Sequence, residues 1–196
     1  MNDLHAIAVF CGSSAGNDPV YREAAQDLAY QMVKKDIRLV YGGGNIGLMG
    51  TMADTMLATG GEVYGVIPAF LKEKEVAHNQ LTQLFIVDTM HTRKYKIFDL
   101  CDGVIALPGG FGTLDELFEM ITWAQLGLHQ FPIALLNTKG YYDHLIKQID
   151  HMVSEGFIKP IFRTMLLIES DPGKLLQAMA AYEAPGAEKW IRPDQA

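Results

Sequence analysis

The sequence predicts an α/β protein built on a doubly wound, mostly parallel sheet, and three observations predict it. Short runs rich in β-branched and apolar residues alternate with longer amphipathic stretches along the chain. Glycine-rich segments at residues 12–16, 42–47 and 108–113 fall where an apolar run gives way to an amphipathic one. Two amphipathic stretches open on Asp-Pro, at Asp18-Pro19 and Asp171-Pro172, which supplies an N-cap carboxylate and a residue suited to the first helical position. Such alternation stacks parallel strands in one sheet and covers both faces with helices.

Taken in order, residues 6–10 form the first strand, and the helix opened by Asp18-Pro19 follows. Residues 37–41 are the second strand, Gly42-Gly43-Gly44 the turn after it, and residues 48–58 the next helix. Strands three and four occupy residues 62–67 and 84–87, and a helix over 92–100 leads to the fifth strand at 103–107. After Pro108-Gly109-Gly110-Phe111-Gly112 comes a strongly amphipathic helix, with Leu114, Leu117, Phe118, Ile121 and Leu128 on its apolar face. Residues 132–136 are the sixth strand, 142–154 a helix and 165–168 a last strand, so the sheet has about seven strands. No repeat, low-complexity tract or linker interrupts the 196 residues, which read as a single Rossmann-like nucleotide-binding domain.

Composition narrows the function classes. An apolar fraction of 49% with 20% charged residues fits a soluble globular chain rather than a disordered one. The formal net charge of −7 gives no global field to gather nucleic acid or an anionic membrane surface. A phosphate site must therefore be local, built from backbone N–H groups and one or two cations. Cys11 and Cys101 make no disulfide framework, and neither they nor the six histidines show metal-ligand spacing. No apolar stretch is long enough to cross a bilayer and the N-terminus does not read as a signal peptide, so the cytoplasm is expected; a metal site is not.

Ligands of such sheets bind beyond the C-terminal strand ends. Gly42-x-Gly44-x-x-Gly47 matches a dinucleotide fingerprint, but it follows the second strand, and the third strand ends at Ile67-Pro68 without the acidic residue that would hold a ribose hydroxyl. The same glycines are equally served by tight turns and close helix–sheet packing. Pro108-Gly109-Gly110-Phe111-Gly112-Thr113 is sharper: several N–H groups and a helix N-terminus converge on one point, with the Thr113 hydroxyl as a further donor. It lacks the Gly-Lys-Ser/Thr ending of a P-loop, so it suits one phosphate rather than a triphosphate with magnesium. Gly109, Gly110, Phe111, Gly112, Thr113, Leu114 and Asp115 are the candidate substrate- or phosphate-binding residues, with Ser13, Gly43 and Gly44 from the other two loops.

Two positions allow opposed readings. Thr113-x-x-Glu116 is the pattern of a capping box, in which Glu116 bonds back to the Thr113 N–H, yet a carboxylate beside a bound phosphate also suits catalysis. Arg93-Lys94 can be solvated charge at a helix start, yet cations there are unfavourable without an anionic partner.

At these residues the chain resembles the LOG ("Lonely Guy") family of cytokinin riboside 5′-monophosphate phosphoribohydrolases, whose members have carried the label "possible lysine decarboxylase". The hallmark Pro-Gly-Gly-x-Gly-Thr-x-x-Glu is complete from Pro108 to Glu116, and Gly-Gly-Gly-x-x-Gly-Leu-Met-Gly from Gly42 to Gly50. Arg93-Lys94 and Val66-Ile67-Pro68 with Glu75 complete the set. The resemblance implies hydrolysis of a purine-type nucleoside 5′-monophosphate to free base and ribose 5-phosphate, without a metal or organic cofactor. It gives Arg93 and Glu116 as the catalytic pair, and Glu75, Lys94 and Thr122 as substrate contacts. It also implies a homodimer with the site near the subunit interface. Two other readings are weaker: a pyridoxal-phosphate decarboxylase would need a Schiff-base lysine and a pyridinium partner that are not evident, and a carrier or sensor of a phosphorylated ligand would not need Arg93 with Glu116.

Overall fold

A computed structural model describes residues 3–72 and 77–186 of the chain. Seven parallel strands form one sheet: β1 (Ala6–Phe10), β2 (Arg38–Tyr41), β3 (Val63–Pro68), β4 (Gln83–Val87), β5 (Gly103–Ala106), β6 (Ile133–Leu136) and β7 (Leu166–Glu169), in the order β4-β3-β2-β1-β5-β6-β7. Between them run α1 (Pro19–Lys34), α2 (Gly47–Ala58), α3 (Ala69–Lys72), α4 (Met90–Asp99), α5 (Phe111–Leu126), α6 (Asp143–Ser154) and α7 (Pro160–Arg163), and α8 (Pro172–Ala180) follows β7.

The pattern of β1 shows why the sheet is covered twice. All five residues are buried, and they alternate between two cores. Ile7 and Val9 join the core under α1, α2 and α8, where Leu28, Met52 and Leu176 are buried. Ala6, Ala8 and Phe10 join the opposite core, with Ile97 of α4, Leu117 of α5 and Ile149 of α6. A one-residue slip would exchange the two sets, so the register is firmly specified. Both Asp-Pro signals act as read: the Asp18 side chain accepts from the Val20 N–H, and Asp171 from the Lys174 N–H.

Three readings need correction. First, α5 begins at Phe111 with Gly110 as N-cap, so Thr113 is its third residue and Glu116 its sixth. The capping box between Thr113 and Glu116 therefore does not exist. Second, the buried face of α5 is Thr113, Leu117, Met120 and Ala124; Leu114 and Ile121 flank it, and Leu128 lies past the left-handed cap Gly127. Leu128 drops out of the stripe because the helix ends at Leu126, and Thr113 joins it because the helix already begins at Phe111. Third, α4 starts at Met90 rather than Thr92, since Thr89 and Thr92 form a reciprocal capping box. The short helices α3 and α7 and a 3-10 turn at Thr138–Gly140 were too brief to show periodicity.

The winding reverses between β1 and β5, where chains leaving neighbouring strand ends run to opposite sides and open a crevice. The loops after β1 and β5 meet there, with the Gly12 N–H donating to the Pro108 carbonyl at 3.1 Å. Among the described residues no helix is long and apolar enough to cross a membrane.

Candidate active site

At this switch point lies a cleft of about 280 Å³, lined by Gly12 and Ser13 after β1, Met90 and Arg93 of α4, Gly110 before α5, and Thr113, Asp115 and Glu116 within it. Cys11, Met49, Phe111 and Gly112 complete the wall. Gly110 caps α5 without a side-chain hydrogen bond. The first N–H groups of a helix have no intrahelical partner, so this end of α5 offers uncapped donors to the cleft, reinforced by the positive end of the helix. A β-carbon at Gly109 would lie 2.1 Å from the Thr113 hydroxyl oxygen, so only glycine there lets the buried Thr113 fold under the loop. The hydroxyls of Tyr141 and Tyr142 donate to the carbonyls of Gly109 and Leu107, which turns those acceptors away from an anion.

Arg93 is not a solvated charge. It is 8% exposed, and its Nη2 donates to the Gly42 carbonyl at 3.2 Å. A β-carbon on Gly42 would sit 2.0 Å from that Nη2, so the first glycine of the Gly42-Gly43-Gly44 turn is what admits the guanidinium. Arg93 Nε is buried with no hydrogen-bond partner among the described residues. A buried guanidinium with donors to spare suits an anionic or oxygen-rich ligand.

Glu116 lies one helical turn beyond the cradle, half-buried against the same cleft. Burial pushes its carboxyl up to about 7; the Arg93 and Lys94 charges pull it down, and Asp115 and Glu119 push it further up. The result is a carboxyl that changes protonation near neutrality and feels the charge of Arg93. The Cys11 thiol is raised by burial and then by Glu116, so it stays protonated and is no nucleophile.

The other predicted residues divide. Ser13 lines the cleft, and Gly47 packs on its backbone. Gly109 lines a neighbouring pocket that shares Gly12, Ser13 and Gly110 with the cleft. Lys94 holds Asp115 at 2.8 Å and Glu119 at 3.2 Å, joining α4 to α5; burial lowers its pKa, but these two carboxylates outweigh it and leave it raised. Gly43 and Gly44 are not in the cleft wall, Gly43 lying against Ile67 and Leu84 and Gly44 against Met49; Leu114 packs on the core, and Thr122 is exposed with its hydroxyl on the Phe118 carbonyl. Glu75 lies outside the described residues. Cleft residues that sequence reasoning missed are Met49, Met90 and Cys11. Met90 stands three positions before Arg93 on the same helix face, a signal that was available.

A family model described as "Possible lysine decarboxylase" matches residues 49–179. The protein named "Cytokinin riboside 5′-monophosphate phosphoribohydrolase LOG5" of Arabidopsis thaliana is 45% identical over 177 residues, covering 90% of this chain and 78% of the relative. "Probable cytokinin riboside 5′-monophosphate phosphoribohydrolase LOGL1" of Oryza sativa subsp. japonica is 47% identical over 176 residues, covering 90% and 79%. Among solved structures, a molybdenum cofactor carrier protein of Chlamydomonas reinhardtii superposes with a TM-score of 0.65 at 17% identity, covering 88% of this chain and 93% of the other. The molybdenum cofactor binding protein of Rippkaea orientalis gives 0.67 at 19% identity, covering 90% and 95%. These two similarities establish the shared fold. The sequence relatives establish more: with identities of 45% and 47% over nine-tenths of its length, the chain belongs to the LOG family of cytokinin riboside 5′-monophosphate phosphoribohydrolases.

Proposed function

We propose that the protein hydrolyses the N-glycosidic bond of a purine-type nucleoside 5′-monophosphate, releasing the base and ribose 5-phosphate. The observation that carries this reading is the convergence, in one cleft, of an uncapped helix N-terminus, a buried guanidinium and a carboxyl titrating near neutrality. The 5′-phosphate sits on the N–H groups of residues 110–113, which fixes the ribose about one helical turn along, beside Glu116. As the C1′–N bond breaks, its electron pair leaves with the base and positive charge grows on the ribose ring, as in other glycosyl cleavages. Ionised Glu116 stabilises that charge and orients the water whose oxygen bonds to C1′; the water's proton ends on the base. Arginine stays protonated and cannot act as the base, so Arg93 holds substrate oxygens and favours the ionised form of Glu116.

A lysine decarboxylase is disfavoured by the same geometry. A Schiff-base lysine needs a depressed pKa, whereas Lys94 is held by two carboxylates and raised. Our reading includes AMP and N6-modified AMP as substrates, a cytoplasmic setting, and a homodimer whose interface lies near the cleft. The exposed Phe111, Met90 and Tyr95 around the site fit such an interface.

The test is chromatographic: purified protein is incubated with adenosine, AMP and an N6-alkylated AMP, and released base is measured. Base is expected from the monophosphates and not from adenosine. Equal turnover of adenosine and AMP would defeat the phosphate anchor, and no release from any monophosphate would defeat the assignment.

A further inference from the structure

The turn that receives Arg93 is itself held by a polar latch. Ala77 forms an antiparallel bridge with Gly44, and the His78 N–H donates to the Gly43 carbonyl at 3.1 Å. The neighbouring Gly42 carbonyl is the acceptor for Arg93 Nη2. His78 is 7% exposed, and both of its ring nitrogens are engaged. Nδ1 accepts from the Gln80 N–H at 3.2 Å, which places the ring proton of the neutral imidazole on Nε2. Nε2 therefore donates to Asp54 Oδ1 at 3.0 Å.

Asp54 lies on α2, the helix into which the Gly42–Gly47 loop runs. The loop is thus bounded by α2 on its downstream side and by His78 at Gly43, with Asp54 joining the two. An apolar side chain at position 78 would hold the segment by burial alone. A directional bond at each ring nitrogen also fixes the ring, and with it the backbone N–H that reaches Gly43.

We propose that His78 and Asp54 are a positioning pair for the hydrolysis. They fix the carbonyls of the Gly42-Gly43-Gly44 turn and, through the Gly42 carbonyl, the guanidinium of Arg93. Neither touches the cleft; both act through the turn. The inference rests on Arg93 being a substrate-holding residue, and displacements of about 1 Å in such groups cost up to roughly a hundredfold in rate.

Two substitutions separate this role from general support. In His78→Asn the amide oxygen can still accept from the N–H two residues on, but the side chain is too short for Asp54. Asp54→Ala removes the other half of the bond, while Asp54→Asn keeps an acceptor for Nε2. His78→Asn and Asp54→Ala should each lower kcat/KM for AMP about tenfold or more, with Asp54→Asn largely restored. Placed in an Arg93→Ala background, His78→Asn should cause little further loss, because the group it positions is gone. Independently of turnover, the NMR signal of the Arg93 Nε–H, assigned from Arg93→Lys, should shift or broaden in both variants while those of Arg38 and Arg163 stay in place. An unmoved Arg93 signal overturns the proposal. So does an equal fractional loss of activity with and without Arg93, accompanied by lowered melting, which marks a purely structural anchor. If wild-type protein cleaves no monophosphate, the functional reading fails, and the Arg93 signal still decides whether the pair positions the guanidinium.

Discussion

At the scale of single residues, Glu116 is where the chemistry is most exposed to test. It is the sixth residue of α5, so its removal costs no helix cap. Glu116→Gln should reduce kcat by roughly a hundredfold or more, the magnitude typical of a lost acid–base or electrostatic group. Wild-type kcat/KM should rise with pH through about 7, where the carboxyl ionises, and that limb should vanish from the residual rate of the variant. Stability must move the other way. The folded-state pKa of Glu116 lies above its ordinary 4.5, so the folded chain binds this proton more tightly than the unfolded one. The cost is absent well below 4.5, grows as pH rises toward 7, and is then constant. Glu116→Gln should therefore be more stable than wild type at pH 8, by on the order of 1–3 kcal/mol, and indistinguishable near pH 4. Urea titrations at the two pH values read the difference; a variant less stable at pH 8 would mean that burial does not burden this carboxyl. Gly42→Ala makes a second test, because its β-carbon would collide with the Arg93 guanidinium. It should reproduce the kinetic defect of Arg93→Ala while the fold persists, and wild-type turnover in Gly42→Ala would show that Arg93 needs no such seat.

At the scale of elements, the two site helices begin in opposite ways. α4 closes its N-terminus with the Thr89–Thr92 capping box, whereas α5 leaves its own to the cleft. A helix end without a side-chain cap forgoes stability that a ligand can supply. Gly110→Asp tests this directly. The position has a negative φ, and nothing lies within 4 Å of a β-carbon placed there. An N-cap carboxylate is at least as good as glycine, so stability should hold or rise by a few tenths of a kcal/mol. The same carboxylate occupies the phosphate donors and repels the substrate, so KM for AMP should rise about tenfold or more. Thermal melts and steady-state kinetics on one preparation suffice; an unchanged KM would remove the α5 N-terminus from substrate binding.

At the scale of the whole molecule, a net charge of −7 surrounds the proposed phosphate site. Attraction must come from short-range donors at one strand-end crevice rather than from a global field. The proposed assembly is a property of this scale too. Light scattering at micromolar concentration should return twice the chain mass of 21.7 kDa, and a monomer would place the exposed apolar rim of the cleft in some other use.

Sequence by itself determined the fold class, the seven strands, the two Asp-Pro helix starts and the loops that form the cleft. These rest on local physics: apolar period, cap chemistry and turn residues act within a few positions of each other. It also brought out Arg93, Glu116 and the residues of the glycine cradle, because their motifs are contiguous. Tertiary structure alone decided where α5 begins, since Gly110 becomes its N-cap with the Gly109 carbonyl held by Tyr141 and the Leu107 carbonyl by Tyr142. That outcome turned Glu116 from a possible cap into a half-buried carboxyl. It alone decided that Arg93 is buried on the Gly42 carbonyl, 51 positions away in sequence, and that Lys94 bridges two helices. Burial and long-range pairing depend on which elements the sheet order makes neighbours, and no local pattern carries that information.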